Sequence, residues 1–218
     1  MTKRGQTIAV EGVCCAGKST LVESLSRELP AAVIPELPVF GRNLFKSFDS
    51  KNDIIYNGHL SIGMEKVRMM AATGLSRLCN NVILDRSFLS TLAVNYGAVD
   101  VIGKSVFQDI ARNVLSGLTE YDLPVPNKTL YLSVDGGTVQ ERNETRVPRL
   151  ADYWTSEARV ERQNEFYHTL TGLDGFACID ASRDRAAVYD DSFKFVQSEQ
   201  RLSVDALVAS IEFFVDKI

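Results

Sequence analysis

No stretch of this sequence is apolar for long enough to span a bilayer, which excludes an integral helical membrane protein. Basic residues are not in excess: 24 Lys and Arg stand against 28 Asp and Glu, a formal net charge of −4. A general binder of nucleic-acid polymers or membrane surfaces is therefore not expected, although a local cationic site is compatible with that balance. Cysteine is scarce. Cys14, Cys15, Cys79 and Cys178 show neither metal-ligand spacing nor a disulfide framework, and the cytosol is the simplest compartment for such a chain. The adjacent Cys14 and Cys15 read as small side chains in a tight loop rather than as a redox pair, although a thiolate at a helix N-terminus is reactive. Behind Met1-Thr2-Lys3-Arg4 there is no long apolar segment or cleavage site, so no secretory signal is expected. Repeats, low-complexity tracts and Pro/Gly/Ser-rich linkers are lacking, and residues 1–218 are read as a single domain.

What is present is ordinary for a globular α/β chain. The 218 residues are 45% hydrophobic and 24% charged, enough for a sizeable core. Gly12-Val13-Cys14-Cys15-Ala16-Gly17-Lys18-Ser19 fits the pattern G-x-x-x-x-G-K-[ST]. Gln6 to Glu11 before it reads as a buried strand, and Leu21, Val22, Leu25 and Leu29 after it recur at helical spacing. In that strand–loop–helix context the loop is expected to cradle phosphate. Glycines let successive backbone N–H groups turn toward one anion. The helix beginning near Lys18 adds the positive end of its dipole. Lys18 is expected to reach the β and γ phosphates, and the Ser19 hydroxyl to hold Mg²⁺.

Ala31 to Ile34 reads as a second strand. It ends at Pro35-Glu36-Leu37-Pro38, where two prolines argue against a helix. Glu36 then lies just past the carboxyl end of a strand, where open α/β sheets bind ligands. Val39 to Asn57 is irregular and aromatic; Phe40, Phe45, Phe48 and Tyr56 read equally as walls of a substrate pocket or as core. A helix is expected over Leu60 to Cys79, with Met64, Val67, Ala71, Leu75 and Leu78 as its apolar stripe. Lys66, Arg68 and Arg77 lie off that stripe; such charges are ordinarily solvated, but one near the phosphate end is placed to bind an anionic substrate. Val82-Ile83-Leu84-Asp85 is a strand closing on a carboxylate, a position from which an Asp orients Mg²⁺ in phosphate-loop proteins. Arg86 and Ser87 follow, putting a cation beside the transferred phosphate.

Phe88 to Tyr96 and Ser105 to Leu118 read as helices separated by a turn region from Gly97 to Gly103. Thr129 to Val134 is a fourth strand. Thr138 to Thr145 is a short helix carrying Arg142, followed by Arg146 and Arg149 with Pro148 as the break. Residues 142–155 are read as a lid, because arginine forks match phosphate oxygens and a loop closing over a nucleotide needs such charge. Ser156 to Leu170 is another helix, and Phe176 to Asp180 a fifth strand. The last helix carries Val204, Leu207, Val208, Ile211, Phe214, Val215 and Ile218 as a core-facing stripe. Residues 186–200 are polar and ambiguous. The alternation of strands and helices indicates an α/β fold with a mostly parallel sheet.

In this order the chain resembles the thymidylate kinase and deoxynucleoside kinase group of phosphate-loop kinases. Glu11-Gly12 with Ala16-Gly17-Lys18-Ser19-Thr20 resembles the group's E-G-x-x-x-A/G-G-K-S/T-T start. Val33-Ile34-Pro35-Glu36 resembles the deoxynucleoside kinase segment ending in E-P. Asp85-Arg86-Ser87, with Ser90, resembles the D-R-Y/H and E/D-R-S motifs. Leu130-Tyr131-Leu132 with Glu141-Arg142 and Arg146 resembles the lid, and Ile179-Asp180-Ala181-Ser182 is similar to the loop beside adenine. The resemblance implies a P-loop fold with a five-stranded parallel sheet, ATP and Mg²⁺ as donor, and a small-molecule nucleoside or nucleotide acceptor. It is compatible with a homodimer.

The resemblance also implies roles. Gly12, Val13, Cys14, Cys15, Ala16, Gly17, Lys18, Ser19 and Thr20 would hold ATP, with Arg142, Asp180 and Ala181 at its adenine. Ser19 and Asp85 would hold Mg²⁺. Lys18, Glu36, Asp85, Arg86 and Arg146 would be catalytic: Glu36 as general base for a 5′-hydroxyl, Arg86 on phosphates, Arg146 on the transferring phosphoryl. Glu36, Phe40, Arg42, Arg68 and Arg86 would meet the acceptor. The chain departs from the pattern in lacking the thymidylate kinase block R-E-P-G-G-T and in carrying Ser87 where Tyr or His stands. The acceptor-phosphate arginine of monophosphate kinases has Arg68 as its nearest match. A nucleoside acceptor is expected ahead of a monophosphate. A monophosphate kinase of thymidylate kinase type, a kinase for an antibiotic or sugar, and a non-catalytic nucleotide-dependent switch are the alternatives.

Overall fold

A computed structural model describes residues 5–48, 50–120 and 123–218, with the backbone alone of residues 40–42. The apolar runs form β1 (Gln6–Gly12), β2 (Ala31–Ile34), β3 (Asn81–Asp85), β4 (Lys128–Ser133) and β5 (Phe176–Asp180). These pair in parallel in the order β2-β3-β1-β4-β5. The helices are α1 (Lys18–Glu28), α2 (Leu37–Gly41), α3 (Lys51–Leu75), α4 (Phe88–Gly97), α5 (Val99–Ile102), α6 (Lys104–Thr119), α7 (Gly136–Glu144), α8 (Asp152–Thr155), α9 (Glu157–His168), α10 (Arg185–Gln197) and α11 (Val204–Lys217).

Successive strand residues point to opposite faces, and the sheet is buried on both. Ala9, Val82, Leu84 and Tyr131 pack with α3, α4, α6 and α11. Ile8, Val10, Ile83, Leu130 and Leu132 pack with α1 and α10. This two-sided burial is why the strands read as continuous apolar runs. The strand order reverses at β1, which has β3 on one side and β4 on the other. The loop after β1 therefore sits at the switch point where such sheets bind ligands. Val10 pairs with Asp85, and the Arg86 N–H donates to the Val10 carbonyl at 3.0 Å, so the phosphate loop and the end of β3 are side by side.

Four local expectations need correction. Pro38 does not exclude a helix: it occupies the first turn of α2, where a missing N–H costs nothing. The long helix starts at Lys51 rather than Leu60, because Ser50 caps it; the Ser50 hydroxyl accepts from the Asp53 N–H (3.2 Å) and donates to the Asp53 carboxylate (2.8 Å). Its buried face is not the expected stripe: Val67 and Leu78 are 68% and 84% exposed, while Glu65 and Arg68 are buried. The turn region after α4 contains α5, and the ambiguous segment 186–200 is largely α10, capped by Asp184.

Lys128 shows how an edge of the fold is fixed. Its side chain is buried, and its ammonium donates to the carbonyls of Phe195 (2.8 Å), Val196 (2.7 Å) and Ser198 at the end of α10. The Phe195 carbonyl also accepts from the Ser198 N–H (3.1 Å) and hydroxyl (2.8 Å), and the Val196 carbonyl from the Gln6 amide (3.3 Å). Lys128→Met is expected to remove the charged donor that the three carbonyls share, destabilising the fold by roughly 1–3 kcal/mol. Urea unfolding checks this; a loss within the scatter of ordinary surface substitutions would show that the clamp contributes nothing.

Candidate active site

The phosphate loop owes its shape to close packing. Gly12 has φ 141°, and a Cβ there would lie 2.6 Å from the Leu132 carbonyl oxygen. Gly17 caps α1 with φ 96° and offers no side-chain acceptor, so the first N–H groups of the helix remain available to an anion. Lys18 is buried beneath the loop and donates to the Val13 carbonyl at 2.6 Å. Burial, reinforced by the nearby Arg86 charge, brings its ammonium down to about 8. A bound polyphosphate would supply the missing counter-charge.

The Ser19 hydroxyl donates to Asp85 Oδ2 at 3.3 Å, while Asp85 Oδ1 is buried without a hydrogen-bond partner. A hydroxyl and an under-used carboxylate at the rim of a phosphate site are hard oxygen donors of the kind Mg²⁺ takes, and they fit that ion. Among the described residues no cluster of three or more His, Cys, Asp or Glu could hold a metal. A cation here would rely on phosphate and water for its remaining ligands.

Arg86 joins the elements. It has φ 68°, a left-handed conformation that turns the chain sharply after β3. Its guanidinium donates to Glu36 Oε2 (3.1 Å), the Gly12 carbonyl (3.0 Å) and Ser90 Oγ (3.1 Å). Behind it Glu11 is fully buried. Its carboxylate accepts from the Ser87 N–H (2.7 Å), Ser87 Oγ (2.6 Å), Ser90 Oγ and the Tyr167 hydroxyl (3.0 Å). Burial raises the Glu11 pKa, and these donors only partly oppose it. Ser87 thus has a structural use: it caps α4 and ties it to β1.

The arginine-rich segment divides. Arg142 is pinned between the Cys15 carbonyl (3.1 Å) and the Ala181 carbonyl (2.7 Å), which fixes the plane of its guanidinium beside the phosphate loop. α7 ends at Glu144, so Arg146 stands beyond the helix rather than on a shared face with Arg142. Asn143 closes the following loop by donating to the Leu150 carbonyl (3.2 Å) and accepting from the Leu150 N–H (2.8 Å). Arg149 lines neither cavity described next.

Two cavities meet at this point. One is polar, lined by Cys14 through Leu21, Arg142, Ala181, Arg185 and Tyr189. The other, about 1030 Å³, is lined by Phe45, Phe48, Ile54, Asn57, Glu65, Thr91, Val94, Asn95, Tyr153 and Trp154. Cys14, Glu36, Arg86, Arg146 and Leu150 border both.

Several expected site residues lie elsewhere. Gly12 and Val13 line neither cavity; the Gly12 carbonyl accepts from Arg86 and the Val13 carbonyl from Lys18. Asp180 is turned away, its carboxylate accepting from the Ser182 N–H (2.9 Å) and hydroxyl (2.6 Å). Arg68 does not line the aromatic cavity: it is buried against Glu65, and its guanidinium donates to the Asp85 carbonyl (2.9 Å) and the Arg86 carbonyl (3.3 Å). The side chains of Phe40 and Arg42 lie outside the described residues. Conversely, Glu65, Asn95, Tyr153 and Trp154 were not singled out from the sequence. A lone polar residue inside a helical pattern carries no local signal; docking of the helices brings these side chains to one cavity.

No protein-family model and no curated protein sequence matches the chain. Solved structures do match in fold. A deoxyadenosine kinase from M. mycoides with bound dATP superposes with a TM-score of 0.67 at 20% identity, covering 88% of this chain and 100% of that one. The same kinase with products dCMP and a flexible dCDP bound gives a TM-score of 0.69 at 20% identity, over 88% and 100% of the two chains. A thymidylate kinase from Candida albicans gives 0.61 at 18% identity, over 89% and 92%. The chain thus has the parallel α/β fold of phosphate-loop kinases. The particular structures it is similar to are a deoxynucleoside kinase and a thymidylate kinase.

Proposed function

We propose that this protein is an ATP-dependent kinase that phosphorylates the 5′-hydroxyl of a nucleoside or deoxynucleoside. The observation that carries this reading is the Glu36–Arg86 pair, 3.1 Å apart, at the neck between the two cavities. A hydroxyl acceptor needs a proton acceptor at the point of transfer, and Glu36 is a half-exposed carboxylate oriented there by Arg86. ATP would occupy the polar cavity, its phosphates on the N–H groups at the start of α1. Lys18, Arg86 and Arg146 would hold the charge of the transferring phosphoryl. Ser19 and Asp85 would hold Mg²⁺, which neutralises phosphate charge when bound. A monophosphate acceptor would set its dianion beside Glu36, and Arg68 is already held elsewhere.

The direct test is ADP release from ATP with deoxyadenosine, deoxycytidine, deoxyguanosine and thymidine, each against its 5′-monophosphate. Turnover of at least one free nucleoside is expected. Turnover of monophosphates alone would overturn the hydroxyl-acceptor reading, and no acceptor-dependent ADP release would point to a different small-molecule kinase or a switch.

The arginines should separate kinetically. Arg142→Ala is expected to raise KM for ATP with little change in kcat, since a guanidinium beside the nucleotide contributes equally to ground and transition states. Arg146→Ala is expected to lower kcat by about 10²-fold, since its charge is needed as the phosphoryl moves. The opposite pattern would exchange the two roles.

A further inference from the structure

The acceptor cavity contains a polar group that phosphoryl transfer does not use. Glu65 lies on α3, is 1% exposed and lines the cavity. Its Oε1 accepts from Arg68 Nη1, but its Oε2 is buried with no hydrogen-bond partner. A buried acceptor left unpaired is costly, so in a working site it calls for a donor. The neighbouring polar side chains do not supply one. The Asn57 amide is spent on the Lys46 backbone (2.9 and 3.0 Å), Ser61 donates to the Asn57 carbonyl (2.7 Å), and the Asn95 amide donates to the Thr91 carbonyl (2.7 Å).

The carboxylate is also fixed in place. Arg68 ties it to the backbone of Asp85 and Arg86 at the end of β3. Its position relative to the phosphoryl-transfer neck is therefore set before any ligand enters. In the same cavity Phe48, Tyr153 and Trp154 form an aromatic wall, with ring centroids 4.6 to 4.9 Å apart. Arg159 lies over the Tyr153 ring at 3.8 Å. An aromatic wall and a lone acceptor oxygen in one cavity suit a planar heterocycle that presents N–H groups.

Resting on the nucleoside reading of this cavity, the geometry points to Glu65 as the residue that selects the base, accepting from an exocyclic amino group of adenine, cytosine or guanine and rejecting thymine and uracil. The reason is the direction of the lone pairs. An amino nitrogen offers N–H bonds and no lone pair toward the carboxylate. The ring N–H of thymine or uracil is flanked on both sides by carbonyl oxygens, which would face the same buried charge. Burial raises the Glu65 carboxyl to about 7, against the opposing pull of Arg68. A donated N–H would stabilise its ionised form.

The test is calorimetric binding of nucleosides to the full chain without ATP. Two pairs differ in an amino group replaced by a carbonyl, with the adjacent ring nitrogen gaining a hydrogen: deoxycytidine against deoxyuridine, and deoxyadenosine against deoxyinosine. In at least one pair the amino member is expected to bind about 10- to 100-fold more tightly. Glu65→Gln, which keeps the shape and can present either edge, is expected to abolish most of that preference. Equal binding within both pairs would overturn the inference, as would a preference that survives in Glu65→Gln. A uniform weakening of all nucleosides by Glu65→Gln would also overturn it, by assigning Glu65 to the sugar. If Glu65→Gln fails to fold, the analogue pairs on the wild-type chain decide the question. Discriminating binding with no ADP release would defeat the kinase proposal and leave Glu65 as the selector; no nucleoside binding at all would defeat both.

Discussion

Glu36→Gln is expected to lower kcat for a free nucleoside by roughly 10²–10⁴-fold, the usual worth of a general base. The substitution keeps the size and one acceptor oxygen, so Arg86 can retain its contact. What is lost is the ability to take a proton. Glu36 is 41% exposed and outside the core, so folding should be unaffected. KM for ATP should be unchanged, because the donor lies in the other cavity. Single-turnover rates with saturating ATP would isolate the chemical step. Near-normal nucleoside turnover in Glu36→Gln would sink the assignment. Arg68→Ala is not expected to report on an acceptor phosphate, because Arg68 is held against Glu65 and the end of β3. That substitution would instead free Glu65 and the carbonyls at the end of β3.

Lys18→Ala is expected to lower the rate by about 10²-fold or more, the cost of losing one preorganised charge at a transferring phosphoryl. The side chain is buried in the loop, and among the described residues its hydrogen bond is to the Val13 carbonyl, so the truncation removes little of the core. Its pH dependence gives an independent check. With the ammonium at about 8 in the free protein, phosphate binding favours the charged form. ATP affinity should be flat below that pH and fall above it by about tenfold per pH unit until the pKa of the bound state is reached. An ATP affinity unchanged to pH 10, or near-normal turnover in Lys18→Ala, would remove Lys18 from the donor site.

Where the sequence was legible, the signal was local. β2 and β5 fall where the apolar runs place them, although both are edge strands and only partly buried. The phosphate loop is legible because an anion held by backbone N–H groups needs glycine, lysine and serine at fixed spacing. The face of α3 was not legible. Its apolar residues recur at helical intervals, but the docked face includes the buried Glu65 and Arg68 and leaves Val67 exposed. A helix that lines a polar-tipped cavity does not advertise its buried side by hydrophobicity. In the arginine-rich segment 142–155 the charge was legible, as was the end of α7 before Arg146, but not that Asn143 would close the loop onto Leu150.

By itself, then, the sequence determined the class of fold, the phosphate loop and the separate places of Glu36 after β2 and Arg86 after β3, since each is written in neighbours along the chain. The tertiary structure alone decided that Glu36 and Arg86, fifty positions apart, share a hydrogen bond. It also decided that Arg68 binds the backbone at the end of β3, and that a buried carboxylate oxygen of Glu65 is left without a hydrogen-bond partner. The physical reason is that hydrogen-bond partnership and burial are settled only when helices dock. A charged side chain looks the same in sequence whether its partner is water, backbone or a ligand.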